Sequence, residues 1–276
     1  MLNNILKEII KAPLSAKFGL LIIFTYGSVA IFAPVIAPYG EREIVGSQFM
    51  QWEGDFVLGT DNLGRDMLSR VIYGARNTVG IALAATVLTF LIGGLTGMLA
   101  AALGGWFDLV FSRIVDAIMA IPTLISALML LTVFGTAIPV LIIVIAVLDS
   151  TRVFRLARAV GVNITVMEFV EAARLRGEGL VWIIRRELLP NAMAPLVAEF
   201  GLRFCFVFLT ISALSFLGLG IQPPTADWGS MVRETATLIS FGDPTPLIPA
   251  GAIGLLTVGV NFVVDWFLHK TSGLKD

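Results

Sequence analysis

Glu199 and Arg203 stand four residues apart in an otherwise apolar stretch, the spacing that sets a carboxylate and a guanidinium side by side on one helix face. Either group alone near a bilayer centre costs about 2.5–3.5 kcal/mol or more, so the pair should face protein or a water-filled path. It suits a polar element of a translocation pathway and, equally, a mutually neutralised structural pair. Asp108, Arg113 and Asp116, and Asp149 with Arg152, group acid and base at the ends of other apolar runs, the pattern of anchors and inter-helix clamps. Asp265 has the same character. No nucleophile is paired with a base, so no catalytic residue is expected. One histidine, His269, and one cysteine, Cys205, cannot supply the three or four ligands of a zinc site, so no metal centre is expected either.

Gly59 and Gly64 have the glycine spacing of a phosphate-binding loop. Such a loop needs Lys and Ser or Thr next, to reach the phosphates and magnesium, but Arg65 and Asp66 follow. Nucleotide binding by this chain is therefore not expected.

The elements that carry these residues are membrane spans. The 276 residues are 57% hydrophobic and 14% charged, and the apolar residues come in blocks too long for soluble helices. A span needs about 20 mainly apolar residues, which 18–37 and 79–104 supply without a charge. Residues 117–148 are also uncharged but too long for one crossing, and Gly135 and Pro139 offer a turn, so this run reads as a hairpin of two spans. Runs 190–219 and 247–267 complete six spans. The first is read as a retained span rather than a cleaved signal, because its apolar core is long and ends in Pro34 and Pro38.

With a cytoplasmic N-terminus, the inside receives 13 of the 19 basic residues: Lys7, Lys11, Lys17, Arg113, Arg152, Arg155, Arg158, Arg174, Arg176, Arg185, Arg186, Lys270 and Lys275. Arg42, Arg65, Arg70, Arg76 and Arg233 fall outside, so the positive-inside rule puts both termini in the cytoplasm. The acids Glu41, Glu43, Glu53, Asp55, Asp61 and Asp66 share the first outer loop. A formal charge of -1 with basic residues gathered on one membrane side gives no nucleic-acid stripe. Trp106 and Trp266 fall at span ends, as interfacial anchors do.

Three polar regions separate the spans. In the first outer loop, 39–78, Met67, Leu68, Val71, Ile72 and Ala75 recur at helical spacing, with Ser69, Arg70 and Arg76 elsewhere on the surface of a helix lying on the membrane or packed on the spans. The inner segment, 151–189, is densest in Arg; helix formers over 164–176 are interrupted by Gly177 and Gly179 and resume over 180–189 until Pro190. Two short helices joined at a glycine are expected. Ala172 and Ala173 would let a partner approach closely, Gly177 removes a side chain at the bend, and Pro190 fixes where the next span begins. The last outer region, 220–244, with Pro223-Pro224 and Trp228-Gly229, is expected to be irregular.

Glu171-Ala172-Ala173, Gly177, Leu189 and Pro190 carry a rarer pattern: EAA, three residues, G, nine residues, I, one residue, LP. Here Glu187 replaces the Ile. The pattern resembles the signature of ABC importer permeases. Leu58-Gly59-Thr60-Asp61-Asn62-Leu63-Gly64-Arg65-Asp66, with Ser69-Arg70, Gly74 and Arg76, is similar to the outer-loop signature of the second ("C") permease of dipeptide and oligopeptide importers. Phe216-Leu217-Gly218-Leu219-Gly220, Pro223-Pro224 and Trp228-Gly229 are similar to the last outer loop of that subfamily.

The resemblance implies an all-α membrane protein with six transmembrane helices and the type I ABC importer permease fold. It divides the chain into an N-terminal span and external loop (1–78), the permease core (79–270, with its cytoplasmic coupling segment at 164–190) and a cytoplasmic tail (271–276). It further implies a bacterial or archaeal cell membrane, a homologous second permease, two ABC ATPase subunits or domains that carry ATP and magnesium, and an external substrate-binding protein. No cofactor is expected on this chain itself. Glu171, Ala172, Ala173, Gly177, Leu189 and Pro190 would couple to the ATPase, and Glu199 and Arg203 would line the pathway. Cargo would be peptides or other small polar solutes such as nickel chelates, glutathione or opines. The rivals from other classes are an ion-gradient-driven secondary transporter titrating at Glu199 and Asp265, and an integral-membrane enzyme.

Overall fold

The computed structural model describes residues 11–272 except 53 and 55. Lys7, Glu53, Asp55 and Lys275, and the tail from 273 onward, lie outside the described residues. Among those described, the chain is helical with no strand, only isolated bridges pairing Ile44 with Arg65 and Thr60 with Asp66.

The helices are α1 Leu14–Ile36, α2 Met67–Leu103, α3 Gly105–Met119, α4 Thr123–Phe134, α5 Ile138–Thr165, α6 Glu168–Leu175, α7 Leu180–Ile183, α8 Leu189–Phe216, α9 Trp228–Thr235 and α10 Leu247–Ser272. A π-helical turn, Ile184–Leu188, joins α7 to α8, and a 3-10 turn, Ala236–Phe241, follows α9. By length and hydropathy, α1, α2, the α7–α8 rod and α10 can each cross a membrane. The pair α3 and α4, bent by 87° at Ala120–Pro122, passes the same test as one broken span. The remaining expected span corresponds to α5, 28 residues long, whose second half carries Asp149, Arg152, Arg155 and Arg158.

Four boundaries differ from the sequence reading. The helix expected at 67–78 and the second span are one rod of 37 residues, α2, because no Gly or Pro separates them except Gly74 and Gly80, which a helix tolerates. Ser69 and Arg70, assigned to its surface, are buried. The region 220–244 is not wholly irregular: Asp227 caps α9 by accepting from the Ser230 N–H at 2.8 Å. The helix expected at 164–176 starts at Glu168, since α5 runs on to Thr165 and a turn at Val166–Met167 intervenes.

Clustering of contacts divides the chain into two compact units. The first holds the residues up to Leu83, Gly135–Ile138 and Cys205 onward; the second holds Ala84–Phe134 and Pro139–Phe204. In the first, α1 packs on α10 where glycines let the backbones meet: a Cβ on Gly19 would collide with the Gly259 carbonyl. In the second, α2 presents Gly93 and Gly97 to the α5 backbone at Ser150 and Phe154, and Ala101 to Gly161. Small residues at this spacing replace the hydrophobic drive that is missing between helices in lipid.

Candidate functional site

The coupling segment is built in two halves. Helix α6 turns Val170 and Ala173 inward, both fully buried, and leaves Glu171 and Ala172 exposed. The smallness of Ala173 thus serves the chain's own core, and only Ala172 is open to a partner. Val170 joins Ile183, Leu188, Ala192 and Leu196 in a core with Met98 of α2 and Ala157 and Ile164 of α5, which bolts the segment to the spans. The other side is apolar and uncovered: Val166 is 81% exposed, Leu175 84% and Val181 76%. Arg176 lies 5.9 Å from the Trp182 ring, a cation–π contact across the bend.

Gly177 ends α6 with φ +81°; its N–H donates to the Arg174 carbonyl at 2.9 Å and that of Glu178 to Ala173 at 3.2 Å. This is a Schellman close, which needs a left-handed residue at that position. A Cβ there would meet nothing within 4 Å, so the glycine answers a conformational demand, not the crowding expected from sequence.

Pro190 does not begin a separate helix. Residues 180–216 form one rod, and the π turn just before the proline, with the Leu189 N–H bonded to the Ile184 carbonyl, widens the helix where the ring would strike the preceding turn. The Asn191 side chain donates to the Glu187 carbonyl at 2.6 Å, covering an acceptor in this irregular turn. Leu189 and Pro190 are exposed, so a push on α7 is transmitted directly into α8.

Glu199 and Arg203 pair as expected, Nε to Oε1 at 2.6 Å. The pairing continues beyond what spacing could show: Arg203 Nη1 lies 3.4 Å from Asp149 Oδ1 on α5, which also takes Arg152 at 2.8 Å. Two clamps treated separately in the sequence are one chain of charges. Asp108 of α3 pairs with Arg158 of α5, through Nη2 at 2.6 Å, and Asp116 with Arg155 at 3.7 Å. Asp265 is exposed and Cys205 buried. Among the described residues, no group of three or more His, Cys, Asp or Glu is placed to hold a metal.

In the first unit, the Gly59–Gly64 loop is a fold device. Gly59 and Gly64 have φ +68° and +75°, and their Cα atoms press on the carbonyls of Met50 and Gly46. The N–H groups of Leu63 and Arg65 bond Asp61 Oδ1 at 2.8 and 2.9 Å, so the donors a phosphate would need already hold a carboxylate. Asp61 also pairs with Arg65 at 2.7 Å and with Arg70, and Arg70 reaches Glu234 of α9 at 3.0 Å. Burial alone would push the Asp61 carboxyl up, but the two N–H groups and the Arg70 and Arg65 guanidinium groups outweigh it and hold it below its ordinary value. Asp66 Oδ2 caps α2 through the Ser69 N–H at 2.7 Å. Trp228 is buried edge-on to Tyr26 and Phe208, its Nε1 donating to the Val71 carbonyl at 2.9 Å. Spacing could have found the Asp61–Arg65 pair at i, i+4, but nothing local announces Glu234.

A helical membrane chain with a broken span and a bolted, outward-facing helical segment is a transport permease. The family model described as "Binding-protein-dependent transport system inner membrane component" matches residues 93–270. The dipeptide transport system permease protein DppC of Alkalihalophilus pseudofirmus is 32% identical over 95% of this chain and 84% of its own length. The di/tripeptide transport system permease protein DppC of Pseudomonas aeruginosa is 34% identical over 94% of this chain and 84% of its own. The crystal structure of an amino acid ABC transporter with histidines superposes at TM-score 0.54, with 18% identity, over 73% of this chain and 94% of that one, and so supports the fold. The chain belongs to the binding-protein-dependent transport system inner membrane component family: it is an ABC importer permease with the type I fold, and not a secondary transporter.

Proposed function

We propose that this chain forms half of the translocation pathway for peptides or similar small polar solutes, delivered by an external binding protein and driven by ATP hydrolysis on two partner ATPase subunits or domains. The peptide class is supported by the relatives' names. A homologous second permease supplies the other half of the path, and both termini are cytoplasmic by the positive-inside rule. The chain itself catalyses no bond change and holds no cofactor; ATP and magnesium belong to the ATPases.

The observation that carries the coupling reading is the pair of faces on α6 and α7: one is buried in the core, the other exposes Val166, Leu175 and Val181 beside Glu171 and Ala172. An uncovered apolar patch on a segment otherwise fixed in place is a docking surface. ATPase closure would then move the rod of α7 and α8 as one piece. Glu199 and Arg203 lie on that rod and are read as a polar element of the pathway.

The double variant Leu175→Glu, Val181→Glu tests docking. It should insert normally yet fail to co-purify with the ATPases and lose uptake; co-purification and uptake at the normal level would remove the coupling role.

A further inference from the structure

The charges of the second unit form a chain with buried middle members and open ends. Asp149 is 1% exposed and Arg203 8%, whereas the Glu199 and Arg152 side chains at the ends are 18% and 41% exposed. The helical rise sets Asp149 about 16 Å from the start of α5 and Arg203 about 20 Å from the end of α8, near mid-depth in a hydrocarbon core of about 30 Å. Both guanidinium groups share Asp149 Oδ1, while Oδ2 is buried and has no hydrogen-bond partner. A buried carboxylate oxygen calls for a donor.

As built, two acids and two bases cancel. Adding a lone cation would leave the buried middle with excess charge, unless a basic member departs. Arg152 is the member free to do so, since it is the most exposed and shares a single acid. A cation taking its place on Asp149 preserves the balance, and the released Arg152 can then hold an anion.

We propose that Asp149, with Glu199 beside it, is a subsite for the α-ammonium group of a zwitterionic peptide, and that Arg152 is displaced from Asp149 to take the peptide carboxylate. The inference rests on the peptide-import reading above and names what in the path recognises the cargo. No bond is made or broken; one ion pair is exchanged for two.

The test uses the complete permease–ATPase complex without binding protein, and labelled dialanine and dialanine amide as probes. Wild type should bind dialanine, and Asp149→Asn should weaken both probes at least about tenfold. Arg152→Gln should move the two probes in opposite directions: dialanine weaker for want of its carboxylate partner, the monocationic amide tighter because its competitor for Asp149 is gone. A variant that only loosened the α5–α8 tie would move both the same way, and that result overturns the subsite. So do unchanged binding in Asp149→Asn and no dialanine binding by wild type at millimolar ligand. ATP-driven dialanine uptake by the wild-type complex with its binding protein is measured alongside. Failure of that uptake refutes the import reading, whereas uptake with no effect of Asp149→Asn on binding refutes the subsite alone.

Discussion

The two units hold themselves together by different means. The first is knotted by buried polar groups: Asp61, Arg65, Arg70 and Glu234 form one ionic cluster, and Glu41 accepts from Asn77 Nδ2 at 2.7 Å and from the Ala226 N–H at 2.6 Å. The second relies on close backbone packing through Gly93, Gly97 and Gly161, with its main ion pairs part-exposed or placed along one helix pair. Geometry in the first is fixed by directional bonds that fail singly and at high cost. In the second, smooth helix faces meet through nondirectional contact, which tolerates sliding until a side chain obstructs it. The contrast fits a rigid platform in one unit and moving rods in the other.

Breaking the knot should have the largest effect. Asp61→Ala strands two buried guanidinium groups and should cost about 3–5 kcal/mol, enough to prevent accumulation of folded protein. Asp108→Ala, in the packed unit, removes a part-exposed pair with Arg158 and should cost only about 1 kcal/mol or less. Thermal unfolding of the two variants in one detergent compares them; equal losses would dissolve the distinction.

Next comes Gly97→Leu. A Cβ there would enter the space of the Phe154 carbonyl and Ala157 on α5, so overpacking should cost about 1–3 kcal/mol and depress transport more than folding. Full uptake by this variant would show that the α2–α5 contact is looser than described.

Smaller still is the strain at Gly177. Gly177→Val should cost about 1–2 kcal/mol locally and abolish uptake together with substrate-stimulated ATPase activity while the chain still inserts, whereas Gly177→Asn, which visits the left-handed region, should keep most of both. Equal behaviour of Val and Asn would mean that bulk, not backbone conformation, matters there.

The smallest effect separates two acids of the platform by pH. The folded Asp61 carboxyl is held low, so its stabilisation is present above the unfolded value and lost as pH falls through the lowered one. Asp227 is the reverse: burial raises it, ahead of the opposing Ser230, Thr78 and Ser215 hydrogen bonds, so its contribution is fully present below the unfolded value and lost as pH rises through the raised one. Asp227→Asn, which keeps an acceptor for the Ser230 N–H, should therefore leave the melting temperature at pH 7 unchanged or higher, while Asp61→Asn lowers it. Melting curves of both variants from pH 4 to pH 8 decide the matter, in steps of about one unit so that each resolves a 1.36 kcal/mol change.

Long apolar runs made the helices legible, and the spacing of Glu171, Gly177 and Pro190 made the coupling segment legible, because both signals are local in the chain. Where the reading missed, the cause was tertiary. Arg70 looked like a surface residue because Glu234, its partner 164 positions away, leaves no mark near it. Asp149 and Arg203 each had a visible neighbour at helical spacing, but their mutual contact depends on how α5 meets α8. Pro190 was read as a break because a proline ends an α-helix, and the π turn that absorbs it has no sequence signature of its own.

That turn carries a consequence for repair as well as for motion. A helix that has been widened by one residue can be restored to regular winding by deleting one, which would rotate everything after the deletion by about 100° relative to α7. Shortening the chain by a single residue at Arg186 would thus turn Glu199 and Arg203 away from Asp149 without touching any of them. The frame of the rod, and not only its composition, would decide whether the charges meet.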